Sequence, residues 1–89
     1  MADFMILVVN RKVGVTFNQV QQKVNLARDW FRINETTWIV YTTSNTDKWH
    51  ARMTDLVQPG GNYFICKLDV STRYGWMNKK FWDWLKKER

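Results

Sequence analysis

Apolar residues follow two rhythms along this chain, and each change of rhythm marks an element. From Phe4 to Val9 every residue is apolar, which puts bulk on both alternating faces and predicts a strand buried on each side. Thr36 to Thr43 is an unbroken run of β-branched and aromatic residues, predicting a strand near the middle of a sheet. Its Trp38 and Val40 face one way, and Ile39 and Tyr41 the other. Tyr63 to Val70 alternates, predicting a third strand with Phe64, Cys66, Leu68 and Val70 inward and Lys67 and Asp69 outward.

Between these strands the period lengthens to that of a helix. Phe17, Val20, Val24, Ala27 and Phe31 form one stripe, with Thr16 or Asn18 available as the N-cap. Trp30 to Ile33 reads either as the last turn of that helix or as a short strand, closed by a turn at Asn34-Glu35. Cap chemistry at Ser44 to Asp47 opens a second helix, whose Trp49, Met53 and Leu56 share a face. Pro59-Gly60-Gly61 stops it. After a loop at Ser71 to Gly75, a third helix is expected over Asn78 to Lys87, with Phe81, Trp84 and Leu85 as its apolar side. The order predicts an α+β sandwich, a small sheet with helices packed on one face and a C-terminal helix. A doubly wound parallel sheet would need more strands than 89 residues hold. Residues 1–89 are expected to form a single domain.

Composition changes this picture in two ways. Six Trp, five Phe and three Tyr are more than so small a core hides, so some are expected at an interface or binding face. Fourteen Lys and Arg against eight Asp and Glu give a net charge of +6, which suits a nucleic-acid backbone or an acidic protein. The single Cys66 forms no internal disulfide, and the N-terminus lacks a signal peptide's basic start, so a cytoplasmic, non-membrane protein is expected.

Trp30-Phe31-Arg32-Ile33-Asn34-Glu35-Thr36-Thr37-Trp38-Ile39-Val40 resembles the signature of a family of small SinR-like hypothetical proteins of bacteria and phages. Tyr63 to Leu68, Gly75-Trp76-Met77, Trp82 and Trp84 fit the same pattern, which spans about Phe4 to Leu85. That family is similar to the ferredoxin-like small subunit of the CRISPR spacer-acquisition complex. The resemblance implies a ferredoxin-like fold and pairing as a homodimer through the sheet. Met5, Leu7, Ile39, Tyr41 and Tyr63 are then the candidate interface residues. In the CRISPR subunit the first strand ends in an Asp assigned to a metal-dependent nuclease. Here the matching position is Asn10, followed by Arg11 and Lys12, which disfavours a cation.

Catalytic and metal motifs are missing from the sequence. His50 stands alone on a helix, Cys66 alternates inward as a buried thiol, and the carboxylates are scattered singly. Asp83 is four residues before Lys87, at the spacing of a helical ion pair. No catalytic residue, metal, cofactor or small-molecule substrate is expected. The one constellation with chemistry is basic and aromatic. Arg11, Lys12, Arg73, Lys79, Lys80, Lys86 and Lys87 would neutralise phosphates, and Tyr74 beside Arg73 offers a stacking surface. The expectation is a non-enzymatic dimeric binding module for nucleic acid or a nucleic-acid-handling complex. The alternatives are a protein-interaction module, such as a phage-encoded inhibitor of a host factor, and a degenerate metal-dependent nuclease.

Overall fold

The computed structural model describes residues 1–89. In chain order the elements are β1 (Asp3–Asn10), α1 (Phe17–Val24), β2 (Asp29–Asn34), β3 (Thr37–Thr42), α2 (Thr46–Val57), β4 (Asn62–Leu68) and α3 (Lys79–Lys86). The four strands form one antiparallel sheet in the order β2-β3-β1-β4. The continuous apolar run of β1 takes an inner position, flanked by β3 and β4. No helix is long and apolar enough to cross a membrane.

Alternation along the strands divides the core in two. Met5, Leu7 and Val9 of β1 and Trp38 and Val40 of β3 point to one side, where Val20 and Val24 of α1 and Trp49, Met53, Leu56 and Val57 of α2 close over them. Ile39 points to the other side, where it packs with Phe81 and Leu85 of α3. Phe4, Phe31 and Leu68 extend this smaller cluster. Helices thus lie on both faces, α1 and α2 on one and α3 on the other, rather than on one alone.

Caps set the helix limits. Thr16, not Asn18, caps α1, accepting from the Gln19 amide while the Gln19 side chain accepts from the Thr16 amide. Asn45 and Asn78 cap α2 and α3 in the same way through the amides of Lys48 and Phe81. The first helix is shorter than its stripe, because Phe31 belongs to β2. There it sits opposite Ile39 and meets Phe81 edge-on with ring centroids 5.3 Å apart. A spacing of four residues from Ala27 fits a helix, but a half-buried aromatic in a strand satisfies it equally well. The sheet therefore has four strands, the short-strand alternative at Trp30 to Ile33 being the one adopted. Asn34 closes the β2–β3 turn by accepting from the Thr36 amide at 3.0 Å.

The end of β4 faces as expected, with Leu68 and Val70 packed beside α3 and Lys67 and Asp69 exposed, but its start does not. Its register places Tyr63 beside Val9 and Ile65 beside Leu7, on the side of α1 and α2. Phe64 and Cys66 turn to the opposite side and are exposed, so the thiol is not buried. Both alternations of this edge strand carry apolar residues, and hydrophobicity alone does not choose between them.

A candidate binding surface on the β4–α3 connection

Residues 69–78 leave β4 and lead into α3. Asp69 turns the chain by accepting from both the amide and the hydroxyl of Ser71, at 2.9 and 2.6 Å. The shared hydrogen bonds from Ser71 hold the Asp69 carboxyl below its usual range. Arg73 then folds back, donating to the Val70 carbonyl at 2.7 Å. Next come Tyr74 and Trp76, separated by Gly75, and each exposes 100% of its surface. Phe81 and Leu85 anchor the helix that follows. A groove of about 420 Å³ runs between this connection, α3 and the sheet, lined by Ile33, Ile39, Leu68, Val70, Met77 and Trp82.

The seven expected phosphate-binding residues fall into two groups. Arg73, Lys79, Lys80 and Lys86 lie on this connection and on α3. Lys79 is held by Asp83 at 2.9 Å, while Lys80 and Lys86 have no ion-pair partner. Lys87 pairs with Asp29 at 3.1 Å, so Asp83 takes Lys79 rather than Lys87 as its helical partner. Arg11 and Lys12 lie beyond the far end of β1. Arg11 donates to the Val15 carbonyl and Lys12 to that of Gln58, each at 2.9 Å. Asp29 sits opposite Tyr41, which pairs with Phe4, six residues before Asn10. At the rise of a strand, about 20 Å separates Lys87, tied to Asp29, from Arg11 and Lys12.

The expected interface residues are also divided. Met5 and Leu7 lie beneath α1 and α2, and Ile39 beneath α3, so none of the three offers surface to another chain in this conformation. They are inner-strand residues, whose bulk the monomer's own helices cover. Tyr41 is half-buried against Phe4 with centroids 5.0 Å apart. Tyr63 shares a hydrogen bond with Nδ1 of His50, and burial pushes its hydroxyl pKa up. What remains apolar and open is the sheet face beyond α3, where Phe64 is 59% exposed beside half-buried Ile6 and Val8.

Asn10 donates from Nδ2 to Oδ1 of Asn62 at 2.9 Å. No group of His, Cys, Asp and Glu is placed to hold a metal ion there or elsewhere.

One charged centre was not visible in the sequence. Asp29 accepts from the Trp30 amide at 2.9 Å and pairs with Lys87 and Arg89. Burial pushes its carboxyl up, but hydrogen bonding from the Trp84 indole, the Lys87 side chain and the Trp30 amide, together with the Lys87 charge, outweighs burial. The net result lies below the ordinary value of 3.8. A depressed carboxyl stabilises the fold fully above its ordinary pKa and loses that contribution as pH falls through the lower folded value. Asp29→Asn is therefore expected to lower the unfolding midpoint at neutral pH. Its acid titration should converge with that of the wild type once the pH has fallen through the lowered folded-state value of the Asp29 carboxyl. Parallel titrations would show that Asp29 carries none of the acid sensitivity.

Compared with protein-family models, with curated proteins and with solved structures, the chain matches none significantly. The functional reading rests on its own geometry.

Proposed function

We propose that this chain is a non-enzymatic, ferredoxin-like module that binds single-stranded nucleic acid through the β4–α3 connection and the outer side of α3. Support for the ferredoxin-like assignment is topological. A β-α-β-β-α-β order with β1 between β3 and β4, antiparallel throughout, is the split βαβ arrangement. The observation that carries the binding reading is the full exposure of Tyr74 and Trp76, with Arg73, Lys79 and Lys80 close in sequence. Full exposure of two large aromatics contributes nothing to the fold. Stacked bases would desolvate both rings while the cations neutralise the phosphates between them.

Fluorescence anisotropy with labelled oligonucleotides at a series of salt concentrations tests this. Tyr74→Ala and Trp76→Ala are each expected to weaken binding by about 1–3 kcal/mol, roughly 5- to 150-fold, with little change in stability. Lys80→Ala and Lys86→Ala should each reduce the slope of log K against log salt by about 0.7. No binding to any single strand at low salt would end this reading.

A second reading has its own observation. The bare sheet face around Phe64, Ile6 and Val8 suits a second copy of the chain, which would make the module a homodimer. Native mass measurement separates the two, since that association would persist in salt and be lost in Phe64→Glu.

A further inference from the structure

The side chain of Arg89 is only 10% exposed, although it lies beyond the last helix. Its guanidinium carbon sits 5.2 Å from the ring centre of Phe4, 5.0 Å from that of Tyr41 and 4.6 Å from that of Trp84. These rings also touch one another, with Phe4 5.0 Å from Tyr41 and 5.9 Å from Trp84. On the open side Nη2 reaches Asp29 at 3.4 Å and the Trp84 carbonyl at 2.8 Å, and Nη1 donates to the Lys87 carbonyl at 3.0 Å.

Three rings around one cation, with a carboxylate at the rim, select a planar delocalised cation over a compact hydrated one. Two of the walls are rigid, because Phe4 and Tyr41 are direct partners in the sheet. Charge balance at Asp29 does not explain the arrangement, since Lys87 already lies 3.1 Å from the same oxygen. Beside the rings a depression of about 270 Å³ opens to solvent among Arg28, Asp29, Lys87 and Glu88.

We propose that Phe4, Tyr41, Trp84 and Asp29 form a receptor for a guanidinium group, filled in this conformation by the chain's own Arg89 and able to take an arginine side chain presented by a partner protein. Arg89 then acts as a ligand in cis. It competes at the millimolar effective concentration of a short tether, so an incoming arginine binds when the segment after α3 moves aside. This site is separate from the Tyr74–Trp76 surface and does not depend on it.

Titration of the Arg89→Ala chain with ethylguanidinium tests the proposal, read by the NMR shift of the Trp84 indole N–H. Saturable binding is expected, with a dissociation constant at least about tenfold below that of the wild type, whose seat is occupied. Ethylammonium should bind about tenfold more weakly, and Asp29→Asn added to Arg89→Ala should remove the saturation. If Arg89→Ala loosens α3, Arg89→Lys gives the second test. It keeps the charge, and ethylguanidinium should still bind it more tightly than the wild type. Equal responses of wild type and both variants, or a linear response without saturation, would overturn the receptor.

Discussion

Trp49→Ala is expected to cost about 3–5 kcal/mol of folding stability, the range for removing a fully buried aromatic from a close-packed core. Trp49 has no exposed surface and lies in the larger core with Met5, Leu7, Val40 and Met53. Its indole N–H donates to the Thr42 hydroxyl at 3.2 Å, and the Arg52 guanidinium lies 4.7 Å above its ring. The substitution therefore empties a cavity, removes a buried hydrogen bond and bares a cation's stacking surface together. A domain of this length has roughly 4–13 kcal/mol in total, so the variant stands near the edge of unfolding. Trp49→Phe separates the contributions. It keeps most of the packing and should lose only about 1–2 kcal/mol with the hydrogen bond. Chemical denaturation followed by circular dichroism measures both. A loss below about 1 kcal/mol for the alanine variant would mean that α2 is not seated on the sheet as described.

The contrast with Trp76 shows where sequence reasoning stops. Trp38 and Trp49 are fully buried and Trp76 is fully exposed, in a chain where six indoles are too many for composition to sort. Periodicity separates them only where it extends over a whole element. Trp49, Met53 and Leu56 recur at helical spacing, and Thr36 to Thr43 is too dense in strand-formers to be anything else, so both elements were legible. Phe31 was not, because its spacing from Ala27 fits two structures. The facing of β4 at its start was not, because both of its alternations are apolar and only the register with β1 decides between them.

The candidate sites divide along the same line. Arg73 and Tyr74 were readable as basic and aromatic residues in a loop, which needs no knowledge of tertiary contacts. The arginine cage was not, since Asp29 and Arg89 are 60 positions apart and neither lies in a motif. Convergence of the basic residues was equally invisible. Arg11 and Lys12 follow β1 closely in sequence, but the length of that strand carries them away from Lys87, which is tied to the opposite end.

Gly61→Ala is expected to be the most damaging of the small substitutions, costing about 3 kcal/mol. A methyl group there would lie 2.3 Å from the Asn10 carbonyl oxygen, 2.8 Å from that of Val57 and 2.9 Å from the Lys12 amide nitrogen. All three are main-chain atoms, so no side chain can swing aside to make room. Relief requires the end of β1 to part from the end of α2, stretching the hydrogen bond from the Lys12 amide to the Leu56 carbonyl, now 2.9 Å. Gly60 is the control beside it. It has φ of +94° and open space around its Cβ position, so alanine there meets no neighbour and costs only the backbone strain of about 1–2 kcal/mol. Denaturation midpoints should therefore rank wild type, Gly60→Ala and then Gly61→Ala, and the Lys12 amide should exchange faster only in the last. The β4–α3 connection shares none of these contacts. A Gly61→Ala chain that remains folded should then bind single strands within about twofold of the wild type. Joint loss of stability and binding would show that the two ends of the sheet are coupled, and that the surface at Tyr74 and Trp76 does not act alone.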